Sequence, residues 1–78
     1  MIPSELAGTL ESNPDILGGT VCFRGTRVPM ETLLDYMEDG ISLDRFLHGY
    51  PTVAREQALA IVKWQASQAR RLVVSGKK

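Results

Sequence analysis

The sequence contains few of the side chains on which catalytic and metal sites are usually built. Cys22 and His48 are the single cysteine and the single histidine among 78 residues. One cysteine cannot form an internal disulfide bond, which fits a reducing compartment. A metal site needs three or four ligands, and these two residues at unrelated positions give no ligand spacing. We therefore predict no catalytic residue, no metal site and no cofactor, and we expect that the protein is not an enzyme.

Long apolar runs and targeting signals are also missing. No apolar stretch approaches the roughly 20 residues that cross a membrane, and residues 1–6 lack the basic region and apolar core of a signal peptide. The expected location is therefore the cytoplasm, with no membrane contact. Large core side chains are scarce as well, since the chain has two Phe, two Tyr and one Trp. A core this small favours a homo-oligomer or a complex with another protein.

Acidic residues are absent from the C-terminal part of the chain. Residues 57–78 carry five Lys or Arg and no Asp or Glu, whereas residues 1–56 carry four Arg and nine acids, so the two parts balance at a net charge of zero. Such asymmetry indicates a basic segment that binds something negative. The alternative is a solvated helix end whose cations suit the helix dipole.

The first third of the chain is rich in turn and strand residues. Residues 1–8 predict a flexible arm, and residues 9–28 predict a short β-hairpin element with turn chemistry at 13–15 and glycines at its bends. Two or three strands of this length are not stable alone in water. We therefore expect the hairpin to pack on helices.

Residues 29–74 predict three helices, followed by a tail at residues 75–78. Pro29 suits the first turn of helix 1, and Gly40 suits a left-handed residue at its end. Ser42 is the expected N-cap of helix 2, and helix 3 runs from about residue 53 to about residue 73. The sequence thus predicts a single, mainly α domain over residues 1–78, with a short N-terminal β-hairpin followed by a three-helix, helix-turn-helix-like bundle.

The pattern gives helix 3 one broad apolar face made of Ala58, Leu59, Ile61, Val62, Ala66, Ala69, Leu72 and Val73. One aromatic residue departs from this face. Trp64 falls with Gln57, Gln68 and Arg71 on the polar side. An outward tryptophan beside arginine is typical of the residues that dominate protein–protein interfaces. The alternative is that Trp64 lies back on the β element and belongs to the core.

A helix-turn-helix would place the start of helix 3 in the DNA major groove. The DNA-binding candidates there are Thr52, Arg55 and Gln57, because arginine and glutamine suit guanine and adenine edges. Glu56 and the acidic first half of the chain oppose phosphate binding. An ordinary three-helix core without DNA contact is the alternative interpretation.

The most distinctive stretch is residues 18–29, Gly-Gly-Thr-Val-Cys-Phe-Arg-Gly-Thr-Arg-Val-Pro, followed by Gly-Ile-Ser at 40–42 and Tyr-Pro at 50–51. Over about residues 9–66 the chain resembles the small bacterial family catalogued as domain of unknown function 433. The resemblance implies a helix-turn-helix-like fold and a role as an antitoxin paired with a PIN-like ribonuclease toxin. It also implies that the pair represses its own operon.

The chain departs from the usual pattern of that family at two places. Residues 20–21 are Thr-Val where Lys-Pro is common, and Ala54 stands where Thr or Ser often caps helix 3. Thr52 is the alternative cap, which leaves the start of this helix open.

Cationic side chains are the candidates for the toxin contact that the resemblance implies. A PIN-like active site is rich in carboxylates that hold Mg²⁺, and an inserted arginine would displace the metal by charge pairing. The partner-binding candidates are Arg24, Thr26, Arg27, Trp64, Gln68, Arg70 and Arg71. The alternative functions are a stand-alone helix-turn-helix DNA-binding transcriptional regulator and an interaction module without a toxin.

Overall fold

The architecture is a two-stranded hairpin followed by three helices, as the sequence predicts. The computed structural model describes residues 2–15 and 17–76. Its elements are two 3-10 turns (Ser4–Leu6 and Leu17–Gly19), strands β1 (Leu10–Ser12) and β2 (Val21–Phe23), and helices α1 (Met30–Glu38), α2 (Leu43–Gly49) and α3 (Arg55–Gly76). The predicted mainly α fold is therefore confirmed.

The hairpin is short and depends on the helices for its burial. Strands β1 and β2 are antiparallel, with Leu10 opposite Phe23 and Ser12 opposite Val21. Directly opposed residues of an antiparallel pair point to the same face of the sheet. Leu10 and Phe23 are both buried, so this face of the hairpin lies on the core.

The N-terminal segment differs from the flexible arm that the sequence predicts over residues 1–8. Ser4–Leu6 forms a 3-10 turn in which the N–H of Leu6 donates to the Pro3 carbonyl at 2.9 Å. Leu6 is buried and belongs to the core cluster. Because a single leucine among eight residues makes no periodic pattern, its burial could not be read from the sequence.

The junction of α1 and α2 follows the predicted caps. Gly40 has φ +73°, and the next N–H, of Ile41, donates to the Tyr36 carbonyl at 2.9 Å. This bond is the mark of a helix that ends in a left-handed residue. Ser42 then caps α2, since its Oγ accepts from the Arg45 N–H at 3.1 Å. The two helices are therefore joined by a tight corner.

The core has an aromatic centre to which the hairpin and two helices contribute. The rings of Phe23 and Phe46 lie 6.1 Å apart, and Tyr36 and Tyr50 contact Phe46 at centroid distances of 5.4 and 5.1 Å. The pKa of Tyr50 is raised above its ordinary value of 10.0. The largest cause is the charge of the neighbouring Tyr36, followed by burial and by a hydrogen bond to Tyr36. The buried cluster consists of Leu6, Leu10, Phe23, Leu33, Phe46, Val53, Ala58 and Ile61.

Helix α3 begins and ends later than the sequence predicts. Ala54 holds the N-cap position, because its carbonyl accepts the N–H of Ala58 at 3.2 Å. Thr52, the alternative cap, lies two residues earlier. The helix continues to Gly76, so the predicted tail at 75–78 is helical at its start, and residues 77–78 lie outside the described part of the chain. At about 1.5 Å per residue, α3 is about 33 Å long.

Candidate partner-binding surface

The turn between β2 and α1 is closed by Thr26. Gly25 has φ +81°, a conformation that favours glycine. The Thr26 hydroxyl donates to the Phe23 carbonyl at 2.8 Å and accepts from the Val28 N–H at 3.0 Å. Thr26 is only 9% exposed. Thr26, one of the partner-binding candidates, therefore stabilises the turn from inside.

Arg24 is also occupied within the chain. Its Nη1 lies 3.5 Å from a Glu11 carboxylate oxygen, and its Nη2 donates to the carbonyls of Ala7 and Leu10 at 2.7 and 3.2 Å. The other Glu11 oxygen accepts from the Gly25 N–H at 3.0 Å. The Leu10 carbonyl points away from β2, so the guanidinium covers the open edge of the hairpin. Arg24 is therefore a structural residue of this turn.

Arg27 is the side chain of this turn that remains available at the surface. It is exposed, and within residues 2–15 and 17–76 it forms no hydrogen bond or ion pair. Together with Thr52 it lines a shallow groove that also includes Glu11 and Gly25. The structure thus brings one partner-binding candidate and one DNA-binding candidate side by side.

The first turn of α3 uses Gln57 to join the helix to the hairpin. Its Oε1 accepts from the Ala54 N–H at 2.9 Å, which is half of a capping box, and its Nε2 donates to the Arg24 carbonyl at 2.9 Å. Both ends of the amide are occupied, so Gln57 does not present the free edge that adenine readout requires. Arg55 is exposed and pairs with the exposed Asp44, a contact that contributes little to stability.

Trp64 lies against the core and not outward as the helical pattern predicts. It is half-buried and packs on the buried cluster. Gln57 lies two turns earlier on the same side of α3, and its bond to Arg24 turns that side towards the hairpin. The indole N–H is buried and has no acceptor among the described residues. The alternative interpretation, that Trp64 belongs to the core, is therefore the one observed.

The last turns of α3 leave the core; we call residues 66–73 the C-terminal arm. Leu72 and Val73 share the helix face of Ala58 and Ile61. Ala58 and Ile61 are buried, whereas Leu72 and Val73 are 77% and 64% exposed. The apolar face of α3 is thus longer than the domain that covers it, and its end is open to solvent.

The C-terminal arm combines this apolar face with positive charge. Arg70 and Arg71 are exposed on it, Gln68 is half-buried, and no Asp or Glu follows Glu56 in the chain. Three of the partner-binding candidates therefore lie on one short stretch of helix. The sequence pattern missed Leu72 and Val73, because it assigned them to the core. Their exposure follows from helix length, since the hairpin and two short helices cannot cover a helix of about 33 Å.

The described residues offer neither a cluster of metal ligands nor a membrane-spanning helix. Within residues 2–15 and 17–76, no group of three His, Cys, Asp or Glu side chains is placed to hold a metal ion. Over the same ranges, none of the helices has both the length and the apolar character of a membrane span.

Comparison with known proteins identifies the family. Residues 10–64 match the family described as Protein of unknown function (DUF433). A similar protein is Uncharacterized protein y4eO of Sinorhizobium fredii, which is 40% identical over 60 residues, or 76% of this chain and 27% of that protein. The chain thus spans about a quarter of the length of this relative.

A solved structure shows the same fold. The crystal structure of a DUF433 member protein from Anabaena variabilis superposes with a TM-score of 0.65 at 24% sequence identity, covering 92% of this chain and 71% of that chain. The matched stretch at 10–64 contains the hairpin, the turn between β2 and α1 (here called the signature turn), both α1 and α2, and the first half of α3. Because this match extends over more than half of the sequence, the chain belongs to the DUF433 family.

Proposed function

We propose that this protein is the antitoxin-like member of a bacterial toxin–antitoxin pair, which binds a PIN-like ribonuclease toxin in the cytoplasm and neutralises it without catalysis. The observation that carries the proposal is the exposed C-terminal arm, on which Leu72 and Val73 lie beside Arg70 and Arg71. The family resemblance supplies the kind of partner. The structure supplies the surface that suits it.

The apolar side chains of the arm supply affinity. An amphipathic helix binds a partner by laying its apolar face into a groove. Leu72 and Val73 lose solvent contact when they enter such a groove, and burying a side chain of this size contributes about 1.5–3 kcal/mol. Their exposure of 77% and 64% means that most of this gain is still available to a partner.

The arginines of the arm supply the inhibition. PIN-like active sites hold Mg²⁺ with carboxylates, and a guanidinium forms two parallel hydrogen bonds with a carboxylate. Arg70 or Arg71 inserted there would occupy the metal ligands and leave the ribonuclease without its ion. Residues 57–78 contain no Asp or Glu, so this end of the chain is positively charged.

Charge reversal on the arm tests this proposal. In a ribonuclease assay with the PIN-like enzyme, the wild-type chain inhibits, and Arg70→Glu/Arg71→Glu restores RNA cleavage because carboxylates would face carboxylates. Lys63→Glu is the control, since Lys63 is an exposed cation on α3 outside the arm, and it leaves inhibition intact. Unchanged inhibition by the arm variant removes the arm from the mechanism.

DNA binding is the second candidate, as operon repression by the pair or as the activity of a stand-alone regulator. Thr52 and Arg55 are exposed at the start of α3, and Arg27 lines the groove beside Thr52. Gln57 is occupied in the fold and Arg55 is paired with Asp44, so the support is weaker than for the arm. A stand-alone regulator would shift its own promoter in a gel without a partner, and added salt would weaken this binding steeply. If the isolated protein does not shift its promoter, the alternative of a stand-alone regulator is ruled out.

A further inference from the structure

A second exposed apolar surface lies at the corner between α1 and α2. Among residues 2–15 and 18–73, the large apolar side chains that are exposed occur at two places: Met37 and Ile41 at this corner, and Leu72 and Val73 on the C-terminal arm. Ile41 also lines a groove with Tyr36, at the tight turn between the helices. Each patch alone is small: Met37 and Ile41 are 37% and 38% exposed, so each leaves over a third of its surface open to solvent.

The rim of this corner is acidic on balance, with three carboxylates against Arg45, which lines the groove beside Ile41. Asp35, Glu38 and Asp39 are exposed on and just after α1. Within the described ranges these three carboxylates form no ion pair. We call the surface formed by Met37, Ile41 and these carboxylates the acidic corner. It is an apolar patch with a negative rim, whereas the arm is an apolar patch with a positive rim.

Charge decides which of these patches can meet. Two arms would bring arginines together, and two acidic corners would bring carboxylates together, so neither surface suits a copy of itself. An arm and an acidic corner match in charge and in apolar character. The arm cannot reach the corner of its own chain, because α3 is one continuous helix from Arg55 to Gly76 and both patches remain exposed.

We propose that two copies of this chain form a dimer in which the arm of each copy packs on the acidic corner of the other. Two such contacts are related by a twofold axis, which closes the assembly at two chains. The pairing covers all four exposed apolar side chains, Met37, Ile41, Leu72 and Val73, and it adds burial to a chain whose own core is small.

The dimer contact uses the same arm as the proposed toxin contact. A second copy and the toxin therefore compete for it, and the free protein keeps its arm covered until the toxin arrives. The dimer proposal depends only on the two patches, so it does not require the toxin to be a PIN-like ribonuclease.

A charge swap tests the dimer. Sedimentation equilibrium gives the mass of the wild type, of a corner variant (Asp35→Lys/Glu38→Lys/Asp39→Lys) and of the arm variant Arg70→Glu/Arg71→Glu. The wild type has twice the mass of one chain, and each variant alone has the mass of one chain, because its two surfaces now carry like charge. An equimolar mixture of the two variants returns to twice the mass, because both contacts again join opposite charges.

The control variant changes the net charge by the same amount as the corner variant, but at acids that do not belong to the acidic corner. Glu5→Lys/Asp15→Lys/Glu56→Lys alters three exposed acids, and this variant stays dimeric. A single pair, Glu38→Lys and Arg70→Glu, repeats the swap with less perturbation, and circular dichroism checks that the helices are retained. A monomeric wild type, a corner variant that stays dimeric, or a mixture that stays monomeric overturns the proposal.

Ribonuclease inhibition separates this proposal from the proposed function. The corner variant keeps its arm, so it inhibits the PIN-like enzyme at the same or a lower concentration than the wild type. If the charge swap restores the dimer but the wild type does not inhibit the ribonuclease, the antitoxin proposal is refuted and the dimer proposal stands. If the wild type inhibits the ribonuclease but is monomeric, the dimer proposal is refuted and the antitoxin proposal stands.

Discussion

At the scale of single residues, the signature turn is held together by its own polar side chains. Thr26 bonds to the backbone on both sides of the bend, and Glu11 joins the Gly25 N–H to the Arg24 guanidinium. The run of Arg, Gly and Thr therefore stabilises the hairpin, and Arg27 is the side chain of the turn that remains for a partner.

Thr26 gives the clearest residue-scale prediction. Thr26→Val keeps the shape of the side chain but leaves the Phe23 carbonyl and the Val28 N–H without their hydroxyl partner, which costs about 1–3 kcal/mol of unfolding free energy. Thr26→Ser keeps the hydroxyl and loses less. Urea unfolding of the two variants measures this difference. Equal stability of the valine variant and the wild type would show that the hydroxyl is not needed for the turn.

Local residue roles could be predicted from the sequence, and long-range ones could not. The Gly40 and Ser42 caps depend on neighbours within four residues, so their chemistry is visible in the sequence. Arg24 bonds to carbonyls 14 and 17 residues away, and no local pattern shows such partners. Its guanidinium was therefore predicted to be free.

At the scale of elements, the helices and the hairpin were predictable, but the orientation of α3 was not. The apolar period of α3 places Ala58 and Ile61 correctly in the core. The same period leaves Trp64 on the polar side, because it cannot show that Gln57 binds the hairpin and turns this side inward. It also cannot show where the core ends, so Leu72 was assigned to the interior.

Two leucines on helices separate the core from the arm. Leu33 is 1% exposed on α1 and Leu72 is 77% exposed on α3. Leu33→Ala lowers the unfolding free energy by about 2–5 kcal/mol, whereas Leu72→Ala, measured at a concentration low enough for the protein to be monomeric, changes it by less than about 0.5 kcal/mol. Leu72→Ala instead weakens toxin binding by roughly tenfold or more, from the lost burial.

Unfolding curves and calorimetric titration measure the two effects. In the unfolding curves, Leu33→Ala shows the effect of truncating a buried leucine, with which the small effect of Leu72→Ala is compared. In the titration, Leu72→Ala tests the contribution of the arm to toxin binding. Strong destabilisation by Leu72→Ala would mean that the arm is part of the folded core. Unchanged toxin affinity would mean that the apolar face of the arm is not the contact.

At the scale of the whole molecule, a small core carries a helix that is longer than the core can cover. The described part of the chain measures 46 × 27 × 19 Å, and the long axis reflects the extension of α3. Apolar surface is left open at both the arm and the acidic corner, and the charges of the two are opposite. This open apolar surface supports the proposal that the molecule is a binding module completed by another chain.

Co-expression with the PIN-like ribonuclease proposed as partner, followed by a mass measurement of the purified material, tests this account most directly. The full chain is expected to elute as one complex with the ribonuclease. A chain that stops after Gln65 keeps the buried residues up to Ile61, and it is expected to remain folded and to elute alone. A complex that forms equally well without residues 66–78, or a full chain that never associates with the ribonuclease, would contradict it.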